Sequence, residues 1–289
     1  MGPKGILLVV LVLLGLGFLA FWIRAARHRP WRPRVIDLVV GFVTDFLDTL
    51  GIGSFAVTTS IYKIGQLVDD IEIPGTLNVG HGIPTVAQAL IYITIVKVEM
   101  ATLVSMIAAS VLGAWLGAGV VARWSRRRIQ LGMGTLLVVA AIIIVLRLSG
   151  SVPAGSDALG LHGPLLAVGV AGNFVLGALM TLGIGLYAPC MILVSLLGMN
   201  PATAFPIMMG SCAFLMPAAS ARFISEGRYN LPASVGLTIA GTPAVLVAAW
   251  LVRSLPLDAL KWLVVAVVVY TAVTMLRSAA KEARLARDA

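Results

Sequence analysis

Long apolar runs separated by short polar or basic stretches dominate the chain. Residues 5–23 (GILLVVLVLLGLGFLAFWI) are uncharged throughout and fit a membrane helix, which needs roughly 20 apolar residues. Apolar stretches near 79–96, 100–122, 129–148, 204–224, 232–253 and 259–277 predict further crossings, with a short polar turn at 97–99. Two stretches behave differently. Residues 35–66 and 164–197 are apolar but fall short of the roughly 40 residues that two crossings need. Each is interrupted by two glycines, Gly51 and Gly53 in the first, Gly183 and Gly185 in the second. A pair of half-helices that enters the bilayer and returns to the same face fits that length, provided other helices shield the broken backbone from lipid.

Composition agrees with burial in lipid. Of the 289 residues 60% are hydrophobic and 11% charged, against about 45–50% and 25% in soluble domains. So few charges cannot coat a globule. The net charge of +9 would suggest nucleic acid in a soluble chain, but here the basic residues flank apolar spans. They cluster at Arg24–Arg34, at Arg123–Arg128 and from Arg277 to Arg287. By the positive-inside rule these mark cytoplasmic loops, so nucleic acid is not an expected partner. The expected orientation in the cytoplasmic membrane is N-terminus outside and C-terminus inside. The first helix is expected to be retained, since its charge bias is opposite to that of a cleaved signal peptide. Cys190 and Cys212 lie in apolar segments and suggest neither a disulfide framework nor a metal site.

The halves repeat. Thr49–Gly53 and Thr181–Gly185 both read TLGIG, at an offset of 132 residues, and Pro74-Gly75-Thr76 corresponds to Pro201-Ala202-Thr203. Duplication accounts for both matches. Each half holds an odd number of full crossings, so the second is inverted relative to the first. The expected fold is an all-α polytopic membrane protein of two inverted repeats, each with a glycine-broken re-entrant helix pair plus three full spans, preceded by one N-terminal helix. Its segments are the first helix and basic stretch (1–34), repeat 1 (35–148), an external linker (149–163), repeat 2 (164–277) and a cytoplasmic tail (278–289). Such repeats let a central site open alternately to either side. The plainer reading is that the glycines only permit close helix packing.

GFVTDFLDTLGIGSFAVTTSIYK at 41–63 and GALMTLGIGLYAPCMILVSLLGMNPATAF at 177–205 resemble the paired signatures of the TauE/SafE-type sulfite exporter, or sulfonate uptake permease, family. The resemblance covers roughly residues 36–277. It implies transport of sulfite, sulfoacetate or other small organic anions, usually coupled to protons. The first signature departs from the family pattern, with a short GIGS break and no proline to match Pro189, and DDIEIPGTLNVGHGIP is unusually elongated.

Half-helix N-termini offer backbone N–H groups and a favourable dipole to anions. The candidate substrate-binding residues are therefore Gly51, Gly53 and Ser54 at the first break and Gly183, Gly185, Tyr187 and Cys190 at the second. Asn78, His81 and Thr85 join them from the span after the first break, and Ser211 from its counterpart. Asp45, Asp48 and His81 are the proton-coupling candidates, because carboxylates at membrane depth are expensive and usually face a polar cavity, and histidine relays protons near neutral pH. Repeat 2 has Gly177 and Met180 where repeat 1 has Asp45 and Asp48, so any such role is asymmetric. Each has a plainer alternative. Asp48 caps the break or meets Lys63, Cys190 is a small hydrophobe, and Arg222 snorkels to the interface with Arg228. Glycine faces such as GAWLGAG at 113–119 pack within the chain or between two copies in a homodimer. No nucleotide-binding motif, metal cluster or catalytic triad is present in the sequence, so neither a cofactor nor an enzymatic activity is expected. The sequence reads as a secondary transporter of a small anion; a passive anion channel and a non-transporting membrane scaffold are the alternatives.

Overall fold

A computed structural model describes residues 2–121, 158–180, 185–254 and 257–288, with scattered positions between 130 and 146. The described residues are almost all helical and contain no strand; Ala158 and Met199 form an isolated bridge. Among the described residues four helices are long and apolar enough to cross a membrane: α1 (Pro3–Ala26), α6 (Gly163–Met180), α8 (Ala204–Glu226, preceded by a 3-10 turn at Pro201–Thr203) and α9 (Leu231–Ser254). The others are α2 (Val35–Thr49), α3 (Ser54–Ile64), α4 (Ile73–Ile95), α5 (Met100–Val121), α7 (Tyr187–Leu196) and α10 (Leu257–Asp288). The described positions between 130 and 146 are helical. The cluster at 123–128, the linker up to 157 and Gly183 lie outside the described residues.

α1 shows what lipid exposure does to a sequence. Leu11, Gly15, Phe18 and Trp22 form the face turned toward the protein, with Gly15 admitting Val86 of α4. Leu13, Leu16 and Ile23 on the other side are more than half exposed. No polar face is needed where the solvent is hydrocarbon.

The helix is interrupted between Thr49 and Ser54, at Gly51 and Gly53. α2 and α3 have 15 and 11 residues, about 22 and 16 Å at 1.5 Å per residue, so neither reaches across a core of about 30 Å. Gly51 and Gly53 take φ of +94° and +88°, the left-handed region that costs an L side chain about 1–2 kcal/mol. Arg34 anchors the start of α2 with two bonds to the buried Asp37 carboxylate, 2.9 Å from Nε and 2.8 Å from Nη2, which hold its guanidinium above its ordinary pKa.

One expectation needs correction. α4 starts at Ile73, six residues before the predicted span, because Pro74 suits a first helical turn. His81 therefore sits inside a helix and not at its entrance. α10 runs 32 residues to Asp288, so residues 278–288 are helical as well.

Glycines set the tight crossings. α2 packs on α9 and α5 on α6. A Cβ on Gly41 would lie 2.6 Å from Leu237 Cα, and one on Gly236 2.6 Å from Asp37 Cβ. In the second crossing Gly113 meets the Phe174 carbonyl and Gly177 the Ser110 carbonyl, so Gly113 of the GAWLGAG face packs within the chain. α4 lies between α8 and α9. Pro84 cannot donate to the Gly80 carbonyl four residues earlier, and the Thr238 hydroxyl of α9 donates to that oxygen instead at 2.7 Å. This is how a membrane helix tolerates an internal proline.

Candidate functional site

His81, Thr85, Gln88 and Tyr92 recur at spacings of four, three and four along α4, which places them on one helical face. That face meets the first break. His81 Nδ1 lies 2.9 Å from Asp45 Oδ1 and its Nε2 3.1 Å from Thr58 Oγ1, all three groups being fully buried. Asp45 Oδ2 has no hydrogen-bond partner and points at Gly241 of α9, where any side chain would collide with it. Tyr92 donates to the Thr49 carbonyl at 3.1 Å.

Asp48 turns back over the break. Its Oδ1 accepts the Ser54 amide, and its Oδ2 accepts Gln88 Nε2 at 2.9 Å. Of its two plain alternatives, capping the break is what the side chain does. Lys63 instead faces Asp70, at 3.6 Å on the surface.

A cavity lies between the segments that follow the two breaks. Asp48, Gly53, Ser54 and Thr85 line one side, and Gly185, Tyr187 and Cys212 another. Gly185 and Leu186 are non-helical, and Cys190 N bonds the Leu186 carbonyl as α7 begins. The first-turn amides of α3 and α7 have no partner within their own helix, and Phe55, Ala56, Tyr187 and Ala188 all line the cavity.

The other candidates lie apart from this lining. Gly51 packs against Met191, Asn78 Nδ2 bonds its own Pro74 carbonyl at 2.8 Å, and Cys190 is buried. Ser211 accepts from Asn173 Nδ2 at 3.1 Å, and the same nitrogen donates to the Met106 carbonyl, so this pair ties α6, α5 and α8 together. His81 and Asp45 stand behind the wall. Arg222 is exposed and pairs with Glu226 at 2.9 Å.

Residues 3–144 match the family model Sulfite exporter TauE/SafE. The TauE/SafE resemblance read from the sequence signatures is thereby shown for the first half of the chain, which carries α1–α5 and every acid of the site. The family description names an exporter, and together with four helices long and apolar enough to cross a membrane the match points to a multi-pass membrane protein of transporter type. No curated protein and no solved structure matches it.

The sequence sets Gln88 near His81, and Gly210, Ser211 and Cys212 as small polar groups at the equivalent place in the second half, but neither Gln88 nor Cys212 was singled out as a binding residue. The further signal for Gln88 is its spacing: an amide seven residues after His81 and four before Tyr92 cannot be exposed to lipid without cost, and it shares their face. Aligning Pro74 with Pro201 makes Cys212 the counterpart of Thr85.

Proposed function

We propose that the chain carries a small oxyanion, sulfite or an organosulfonate, across the cytoplasmic membrane by alternating access of the cavity between the breaks. The observation that carries this reading is that the lining residues occur as repeat-related pairs. Asp48 and Met180, Gly53 and Gly185, Phe55 and Tyr187, and Ala56 and Ala188 each differ by the TLGIG offset, and Thr85 and Cys212 differ by the Pro74–Pro201 offset. The helix crossings pair in the same way, α2 on α9 and α5 on α6. Both support two inverted, re-entrant halves meeting at one site. The anion takes the unpartnered amides and the Tyr187 hydroxyl as donors. Asp48 lines the same space, but its oxygens are already occupied by Ser54 and Gln88.

Asp45 and His81 carry the coupled proton. Thr58 has one hydroxyl proton and two acceptors in reach, His81 Nε2 at 3.1 Å and the Ser54 carbonyl at 2.9 Å. When the imidazole is protonated on both nitrogens, Thr58 donates to Ser54; when Nε2 is bare, it donates there instead. The protonation state of the pair thus reaches a residue that lines the cavity.

Uptake into proteoliposomes across a panel of sulfite, sulfate, sulfoacetate, taurine and carboxylates, with and without a pH gradient, tests this. Gradient-dependent accumulation of a sulfur oxyanion is expected. Flux that equilibrates without accumulating would make the protein a passive channel, and no flux at all would leave the cavity without a transport role.

A further inference from the structure

The two walls of the cavity are joined from behind by one side chain that does not itself line it. The Tyr187 hydroxyl, on the wall after the second break, donates to Gln88 Oε1 at 2.9 Å. Gln88 Nε2 donates to Asp48 Oδ2 at 2.9 Å and to Thr49 Oγ1 at 3.0 Å, at the end of α2 just before the first break, where Asp48 lines the other wall. Asp48 in turn holds the Ser54 amide. All these groups are buried. Asp48 accepts from both the Ser54 amide and Gln88 Nε2, so the amide nitrogen faces the carboxyl group and the amide oxygen is left to accept from the tyrosine.

We infer that Gln88 is a positioning residue that latches the two breaks together, and that an anion in the cavity releases the latch by taking the Tyr187 hydroxyl. The inference rests on the transport reading above. Tyr187 is the lining residue whose donor proton is already committed across the cavity, and an oxyanion beside it offers a stronger acceptor than an amide oxygen. Once the hydroxyl turns, the second break is no longer bonded to α4 through Gln88, and the two walls of the cavity can part while the helix crossings stay packed. The unloaded protein is therefore held shut, and the substrate opens it.

Cys212 supplies a native reporter, since its thiol lines the cavity and is only 2% exposed. The full chain in liposomes is treated with a soluble maleimide, and the modified cysteine is identified by peptide mass spectrometry. Tyr187→Phe and Gln88→Met are expected to label at Cys212 about three- to tenfold faster than the wild type, the range of one net hydrogen bond. Tyr92→Phe removes a comparable buried bond from the same face of α4 but not one between the walls, and it is expected to label at the wild-type rate. Sulfite exchange gives a second readout. Gln88→Met frees the hydroxyl and lowers KM, whereas Tyr187→Phe deletes it and raises KM; a merely structural role would not split the two in opposite directions. Wild-type labelling in both variants, equal acceleration in Tyr92→Phe, or KM shifts of the same sign would overturn the latch. If the wild type carries no anion, the transport reading fails while the labelling comparison still decides whether the walls are latched.

Discussion

The two breaks share a design and differ in chemistry. Both present a glycine followed by a short helix to the same cavity, yet the first is surrounded by Asp45, Asp48, Thr58, His81 and Gln88 and the second by Met180, Tyr187, Met191 and Cys212. Where the first half has Asp45, the second has Gly177, packed against the Ser110 carbonyl with no room for a side chain. Backbone donors are what the halves hold in common, since they come with any helix start. Titratable groups are costly inside a membrane, and one set suffices to couple one proton. On the proposed transport reading, the shared backbone donors would hold the anion and the acids of the first half would move the proton.

Disturbing the charged half should have the largest effect. His81→Ala strands the buried Asp45 carboxylate and should cost about 3–5 kcal/mol, read as a lowered unfolding midpoint in detergent. Asp45→Asn, nearly isosteric, should keep more stability but lose gradient-driven uptake while anion exchange continues; if accumulation survives, the proton path lies elsewhere. Next comes the packed half. Gly177→Ala drives a methyl into the Ser110 backbone and should cost about 1–3 kcal/mol. A neutral result would mean that α5 and α6 separate easily. Smaller again is the contrast within the first break. Gly53→Ala meets only backbone strain of about 1–2 kcal/mol, with no atom within 4 Å of the new methyl, whereas Gly51→Ala also pushes the Met191 methyl, 2.8 Å away. Gly51→Ala should be slightly the worse of the two, because a methionine can yield. At the bottom of the scale, Asp70→Asn removes the exposed Lys63 pair and should change neither stability nor flux measurably.

Much of the helical framework could be read from hydropathy, because lipid permits few alternatives to helices that satisfy their own backbone bonds. The break at Gly51 and Gly53 was legible from its length deficit and its repetition. Partner choice was not. Asp45 finds His81 36 residues away, and Asp37 lies against Gly236, 199 residues later; nothing in local periodicity encodes either contact. The early start of α4 was hidden by Glu72 and the polar residues after Pro74, which lower the local hydropathy without breaking the helix. Asn78 and Ser211 were chosen for their chemistry, but a polar side chain in a membrane protein often finds its partner on its own or a neighbouring helix: Asn78 donates to the Pro74 carbonyl, and Ser211 accepts from Asn173.

The packing of α2 on α9 has a consequence for synthesis. α2 ends at Thr49 and α9 begins at Leu231, so at about 5–20 residues per second the nascent α2 waits roughly 10–40 s for its mate. During that interval Asp37 and Asp45 have no Gly236 or Gly241 to shelter beside. The insertion machinery, or the water-filled passage it provides, must keep those acids out of the acyl chains until α9 has been made.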